Sequence, residues 1–307
     1  MKYFPAFLFI PLFFTACGQQ ETTGNTIVTA ESSLPTTDSV MVEKQKVLVL
    51  EPTDNREQII EKLKTKIENN IPLVIHVKVP LCDNENQGIV PTSPSLGNGM
   101  DLKRNLYWAT SKGMKRFFNE LSDWKLVSSQ LDINKDVLER VVFKKHFKNG
   151  AIVYLVADAY RGDRMINCLQ DHFNSLSGVL KDSLVIDIDT IGIYGNADLL
   201  AFNGHNGLMD ETVFFDKSAD GIARDAVTIA CISGDYFKSR YKATNSYPLV
   251  HTTNLLYPGA FILEGVINSW ANLESDEQCK KAAGNGYYKH KPKSGPNGSQ
   301  NLFSYGW

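Results

Sequence analysis

The chain has 307 residues, 43% of them apolar, and a formal net charge of −2. Acids and bases are interspersed, which excludes the basic footprint of a nucleic-acid-binding protein. No HExxH or CxxC spacing marks a metal site. No nucleic-acid partner, metal or cofactor is therefore expected.

Residues 1–16 read as a signal peptide. Lys2 supplies the positive charge, and the apolar run 3–14 is broken at Pro5 and Pro11. That run is shorter than the about 20 apolar residues a transmembrane helix needs. The segment Phe14-Thr15-Ala16-Cys17 resembles a bacterial lipobox, with Phe in place of the usual Leu. The resemblance implies a diacylglycerol on Cys17, and so a membrane partner reached through that lipid alone. The other reading is an ordinary secretory signal with an incidental cysteine. Gly18 occupies the second mature position, where Asp would signal inner-membrane retention. The expected location is therefore the cell envelope, on the outer membrane, at its periplasmic or surface face. Residues 17–45 then form a lipidated, flexible tether. They are rich in Thr, Ser, Gln and Glu and lack aromatics, so they cannot bury enough apolar surface to offset their ordering entropy.

About 260 residues follow, enough for one large domain or two small ones. We expect an α/β domain over 46–283 and a loose polar tail, 284–307, whose aromatic end docks. Ile59, Ile60, Leu63 and Ile67 have helical spacing within 55–69. A β-rich run, 73–79, ends at Pro80 and is followed by a polar loop over 81–105. A helix is predicted over 106–122, a strand over 151–159 and a helix over 162–180. Further strands are expected at 198–204, 226–231 and 248–254, with a last helix at 258–273. Several of these strands are apolar on both faces and alternate with helices, which argues a mainly parallel sheet flanked by helices.

In such sheets sites form at the carboxyl ends of strands. The strand at 198–204 ends in Gly204-His205-Asn206-Gly207, and the next in Ala230-Cys231-Ile232-Ser233-Gly234. If the two strands are neighbours, His205 and Cys231 meet at one edge, within about 4–7 Å of each other. A thiol needs a nearby base or cation to act as a nucleophile at neutral pH. Small residues around both leave backbone N–H groups free for an oxyanion.

This ordered pair resembles the caspase-like fold of cysteine peptidases, which includes gingipain- and clostripain-type enzymes. The likeness spans roughly 73–270 and rests on strand–His–Gly followed by strand–Ala-Cys-x-Ser-Gly. It implies Cys231 as nucleophile, His205 as its assistant, an oxyanion held by backbone near Asn206 and Gly207, and a peptide or protein substrate. Asn206 stands where the family has Gly directly after His, and His205 and Cys231 are 26 positions apart, a short interval. The rival reading is a non-catalytic relative acting as a binding or assembly protein. Asp83 and Ser233 are candidate substrate-pocket residues. Asp83 reads equally as part of a polar turn beside a disulfide cysteine. Cys82, Cys168 and Cys279 are free to pair in any combination, whereas a nucleophilic Cys231 must be unpaired and accessible. The run Arg161-Gly162-Asp163-Arg164 either caps the following helix or binds a carboxylate. Asp210 and Glu211 either orient His205 or are solvated.

Overall fold

The computed structural model describes residues 55–217 and 220–307. The signal peptide, Cys17, the tether and the first positions of the expected domain lie outside the described residues. All described residues belong to one unit, Leu50–Trp307. The strands are β1 (Leu73–Pro80), β2 (Lys125–Leu131), β3 (Val137–His146), β4 (Ile152–Tyr160), β5 (Lys181–Ile186), β6 (Asp189–Tyr194), β7 (Leu199–Asn203), β8 (Asp225–Ile229), β9 (Tyr247–Thr252) and β10 (Phe303–Ser304). The helices are α1 (Arg56–Glu68), α2 (Met114–Glu120), α3 (Met165–Leu176), α4 (Ser233–Ala243), α5 (Ala260–Ala271), α6 (Asp276–His290) and α7 (Pro296–Gln300).

Eight strands form one mixed sheet in the order β10-β9-β8-β7-β1-β4-β3-β2, and β5 and β6 form a separate hairpin. The five central strands, β4-β1-β7-β8-β9, are mutually parallel, while β2, β3 and β10 pair antiparallel. Strand order reverses between β1 and β7, so the topological switch point lies at their carboxyl ends. Alternate strand residues serve opposite layers. Leu73, Ile75, Val77, Leu155 and Ala201 pack with Leu63 of α1, Phe118 of α2 and Ile267 of α5. Val74, Tyr154, Val156, Leu200 and Phe202 pack with Phe173 of α3, Phe237 of α4 and Ile193 of β6. The result is a sheet with helices on both faces, as its two-sided apolar strands require.

Two expectations are corrected. The segment 106–122 is helical only at Met114–Glu120. The Asn105 side chain donates to the carbonyls of Cys82 and Asn98 and accepts from the backbone of Cys82 and Tyr107, which holds the preceding residues in turns. Nor is 284–307 a loose tail. Helix α6 runs through residue 284, opened by a Ser275–Gln278 capping box. The end of the chain does dock, with buried Phe303 in β10 added to the edge of β9. No helix among the described residues is long and apolar enough to cross a membrane.

One buried polar network braces the α3 side of the sheet. Asp158 on β4 accepts from Arg140 Nε (2.6 Å) and Nη2 (2.8 Å) and from His76 Nε2 (2.9 Å), with Lys78 Nζ at 3.5 Å. His76 Nδ1 accepts the backbone N–H of Tyr194 at 2.7 Å, so Nε2 carries the ring proton. Burial pushes the Asp158 carboxyl up, but His76, Lys78 and Arg140 outweigh it and hold the group well below the usual carboxylate range. Removing the shared acceptor leaves two buried cations without their partner. Asp158→Ala will therefore cost about 3–5 kcal/mol, read as a lower urea midpoint. Lys78→Met leaves Asp158 with two partners and will cost under about 1.5 kcal/mol. Equal losses from the two variants would contradict this account.

Candidate active site

The site grows out of the ends of β7 and β8. Past Asn203 the chain turns, and the Asn203 amide donates to the carbonyl of Pro258 at 2.9 Å, pinning the 255–258 loop to the strand end. His205 follows and is 8% exposed. A 3-10 turn over Gly207–Met209 brings Asp210 back beside it. His205 Nε2 pairs with Asp210 Oδ2 at 2.5 Å. The same oxygen accepts the backbone N–H of Gly88 at 3.3 Å. A side chain at Gly88 would put its Cβ 2.4 Å from Asp210 Oδ1, so any larger residue there would displace the Asp210 carboxylate. With Nε2 occupied by the carboxylate, Nδ1 is the ring nitrogen left for chemistry.

Cys231 lies two residues beyond β8, and α4 starts at Ser233. Between them Ile232 has φ 48° and ψ 37°. A left-handed backbone is unfavourable for a β-branched residue, so this sharp strand-to-helix turn is held by its surroundings. The Ile232 N–H donates to the Asn254 carbonyl at 3.1 Å, and the Ser233 N–H donates to Thr252 Oγ1 at 2.9 Å. The Cys231 thiol is partly exposed and contacts the Leu256 carbonyl at 3.6 Å.

Asn206 is fully buried and links the two strand ends. Its amide donates to the carbonyl of Cys231 at 2.6 Å, and its oxygen accepts from the N–H of Leu208 at 3.2 Å. The residue that stood out in the sequence as an interruption of His-Gly thus ties the histidine turn to the cysteine turn.

Cys231, His205, Gly204, Cys82, Tyr107 and the 88–92 and 255–258 loops line one cavity of about 530 Å³. It opens at the carboxyl ends of β1, β7 and β8, next to the switch point. All four described cysteines are unpaired, and Cys231 is the one that is not fully buried. Burial pushes the thiols of Cys82 and Cys279 up to about 11 and about 12, and that of Cys168 well above its usual range, so these three are neutral. Among the described residues no group of His, Cys, Asp and Glu is arranged to hold a metal.

Other sequence candidates lie elsewhere. The N–H of Gly207 donates to the His205 carbonyl at 3.1 Å, so it is not available to an oxyanion. This glycine packs beneath α3, where a Cβ would sit 2.2 Å from Met165 Cγ. Ser233 is buried, donates to the Thr228 carbonyl and bonds Thr252, so it fastens α4 to β8 and β9 and does not line the cavity. Asp83 lines a separate depression with Asn84 and Asp163. Its carboxylate accepts the N–H groups of Glu85 and Asn86, the polar turn that was the alternative reading. Arg161 pairs with Asp163 at 2.8 Å, and no side-chain cap is formed before α3. In the sequence the run beginning at Cys82 is a pocket candidate, on the functional edge, but Tyr107 reads as a packing residue and the Leu255–Pro258 wall is not anticipated. The one signal for Cys82 was its position just past the first strand. Comparison with protein-family models, with curated proteins and with solved structures yields no match.

Proposed function

We propose that the chain is a cysteine hydrolase of the caspase-like kind, cutting a peptide bond or a related acyl bond. The observation that carries this reading is the partly exposed Cys231 thiol sharing one cavity with His205, itself paired to Asp210, at the ends of adjacent parallel strands. His205 Nδ1 takes the thiol proton, and Cys231 Sγ attacks the substrate carbonyl. The same nitrogen returns the proton to the leaving amine, leaving an acyl thioester on Cys231. Water, deprotonated by His205, then releases the acid and restores the thiol. Asp210 keeps the imidazole oriented throughout, and the backbone N–H of Cys231 serves the oxyanion.

The test is covalent labelling. The mature protein, incubated with peptidyl acyloxymethylketones carrying varied residues before the warhead, will acquire the label on Cys231, located by peptide mapping. The Cys231→Ala variant will acquire none. A second reading, a non-catalytic binding protein of the cell envelope, is favoured by the engagement of the Gly207 N–H, which removes one oxyanion donor. Absence of label from every probe would select it.

We further propose that Cys17 carries the lipid that holds the protein at the outer membrane, on the strength of the lipobox-like Phe14-Thr15-Ala16-Cys17. Cys17→Ser will move the protein from the detergent phase to the aqueous phase, or block its processing. Unchanged partitioning would remove the lipid anchor.

A further inference from the structure

The wall of the cavity beside Cys231 is chemically uniform. Ile89, Leu106, Leu256 and Pro258 contribute apolar surface, and no Lys, Arg, Asp or Glu is part of the lining. Its titratable members other than His205 and Cys231 are Cys82, Tyr107 and Tyr257. Burial pushes all three up, the first to about 11 and Tyr107 well above the usual tyrosine range, so none carries charge at neutral pH. Asp210 is the closest acid assigned to the site, and its Oδ2 is engaged by His205 and Gly88.

The mouth of the cavity carries a second, independent observation. Val90 is 91% exposed, Leu255 62% and Met209 41%, and all three border this opening. Large apolar side chains gathered around one concavity mark a surface that something covers. The occupant is specified by the same chemistry. A charged side chain entering here would lose its water and meet no counter-charge in the lining, the adjacent Asp210 being engaged by His205 and Gly88. An apolar one would cover the exposed rim and fill a space of about 530 Å³, ample for a branched aliphatic or aromatic group.

We propose that this cavity selects a large, uncharged apolar residue, leucine- or phenylalanine-like, immediately before the bond that is cut. The inference rests on the cysteine-hydrolase reading above and adds its substrate class.

Five acyloxymethylketone probes with one peptide backbone and Leu, Phe, Asn, Asp or Arg before the warhead test it on the full mature protein. In labelling, the Cys231 sulfur displaces the acyloxy group from the methylene carbon, forming a thioether and releasing a carboxylate. The Leu and Phe probes are expected to label about 10–100-fold faster than the Asp and Arg probes, the range a few apolar contacts provide. Leu255→Glu, at a rim position that tolerates a polar residue, is expected to raise the Arg rate and lower the Leu and Phe rates. Equal rates for all five probes, or a preference for Asp, Asn or Arg, would overturn the apolar selection while leaving the hydrolase intact. So would a Leu255→Glu protein whose Leu, Phe and Arg rates equal those of the wild type. Labelling by none of the five would overturn both.

Discussion

Cys231→Ala will abolish turnover and leave the urea midpoint within error of the wild type. The thiol is partly exposed and makes one long contact, to the Leu256 carbonyl at 3.6 Å, so alanine removes the nucleophile at little cost in packing. His205→Ala will lower kcat by about 10²–10⁴-fold, the usual contribution of a positioned acid–base group. Asp210→Asn will lower kcat by less, because the ring stays and only its orientation is lost, and KM will change little since Asp210 sits behind the histidine. A kcat loss with KM held is the signature of positioning; an effect on stability alone would make the pair merely structural. Asn206→Ala removes the bond to the Cys231 carbonyl and will cost about 1–2 kcal/mol in stability, together with kcat, as the histidine and cysteine turns separate. Deleting Asn206 to restore His-Gly will destroy activity, because the clamp goes with it. A gain on deletion would mean that Asn206 obstructs the site.

Acid will destabilise the domain above the pH range in which ordinary, unburied carboxylates titrate. Burial pushes His76 and His172 down to about 3 and His251 down to about 4, with Lys78 adding to the effect at the first two. His172 is the clearest case. Neither ring nitrogen has a hydrogen-bond partner, and the ring sits 5.4 Å from Phe173 and 5.8 Å from Phe202, centroid to centroid. The unfolded chain protonates these groups near pH 6.5. Their contribution is therefore whole above about pH 6.5 and is lost progressively as pH falls towards 4, at about 1.4 kcal/mol per pH unit for each histidine. Asp225 opposes them. Burial raises its carboxyl to about 6, so the folded state takes up one proton between pH 6 and 4 that the unfolded chain does not. Asp171, raised in the same way, acts in the same sense. With three histidines against one strongly raised carboxylate, the slope near pH 5 is about 2–3 kcal/mol per pH unit. A few units of that slope match the whole stability of an ordinary domain, about 5–15 kcal/mol. Thermal unfolding followed by circular dichroism at pH 7.5, 6, 5 and 4.5 will show a steep fall in Tm. His172→Leu will flatten the fall by about one proton and raise stability at pH 7 by about 1–3 kcal/mol. A Tm constant from pH 7.5 to 5 would contradict the neutral buried histidines.

What could be read in advance, and what could not, divides along physical lines. The parallel strands were legible because each is a short apolar run between breakers: LVIHVKV before Pro80 became β1, and AIVYLVADA became β4, each within a residue or two. The β5–β6 hairpin was missed because its first strand is mostly exposed and shows no apolar face, and its pairing rather than its composition makes it a strand. Helix α6 was missed because Gly284 and Gly286 argue against a helix. Gly286 is tolerated because it lets α6 lie close against α5, where a Cβ would sit 2.7 Å from the Phe261 carbonyl, and Gly284 faces the Gln300 side chain of α7.

By itself the sequence determined the class of fold, the order of the parallel strands along the chain, and the delivery of His205 and Cys231 to the ends of two successive strands. Those follow from local hydrophobic periodicity, which any segment carries without its neighbours. Only the tertiary structure decided that Asp210 and not Glu211 pairs with His205, that Asn206 bonds the Cys231 carbonyl, that the Gly207 N–H is engaged, and that Cys82 and Leu256 complete the wall around Cys231. Each of these depends on a turn geometry or on partners some 25 to 175 positions apart in the chain. Hydrogen bonding and close packing at that range are set by where the sheet brings the strand ends together, not by any pattern within the segments themselves.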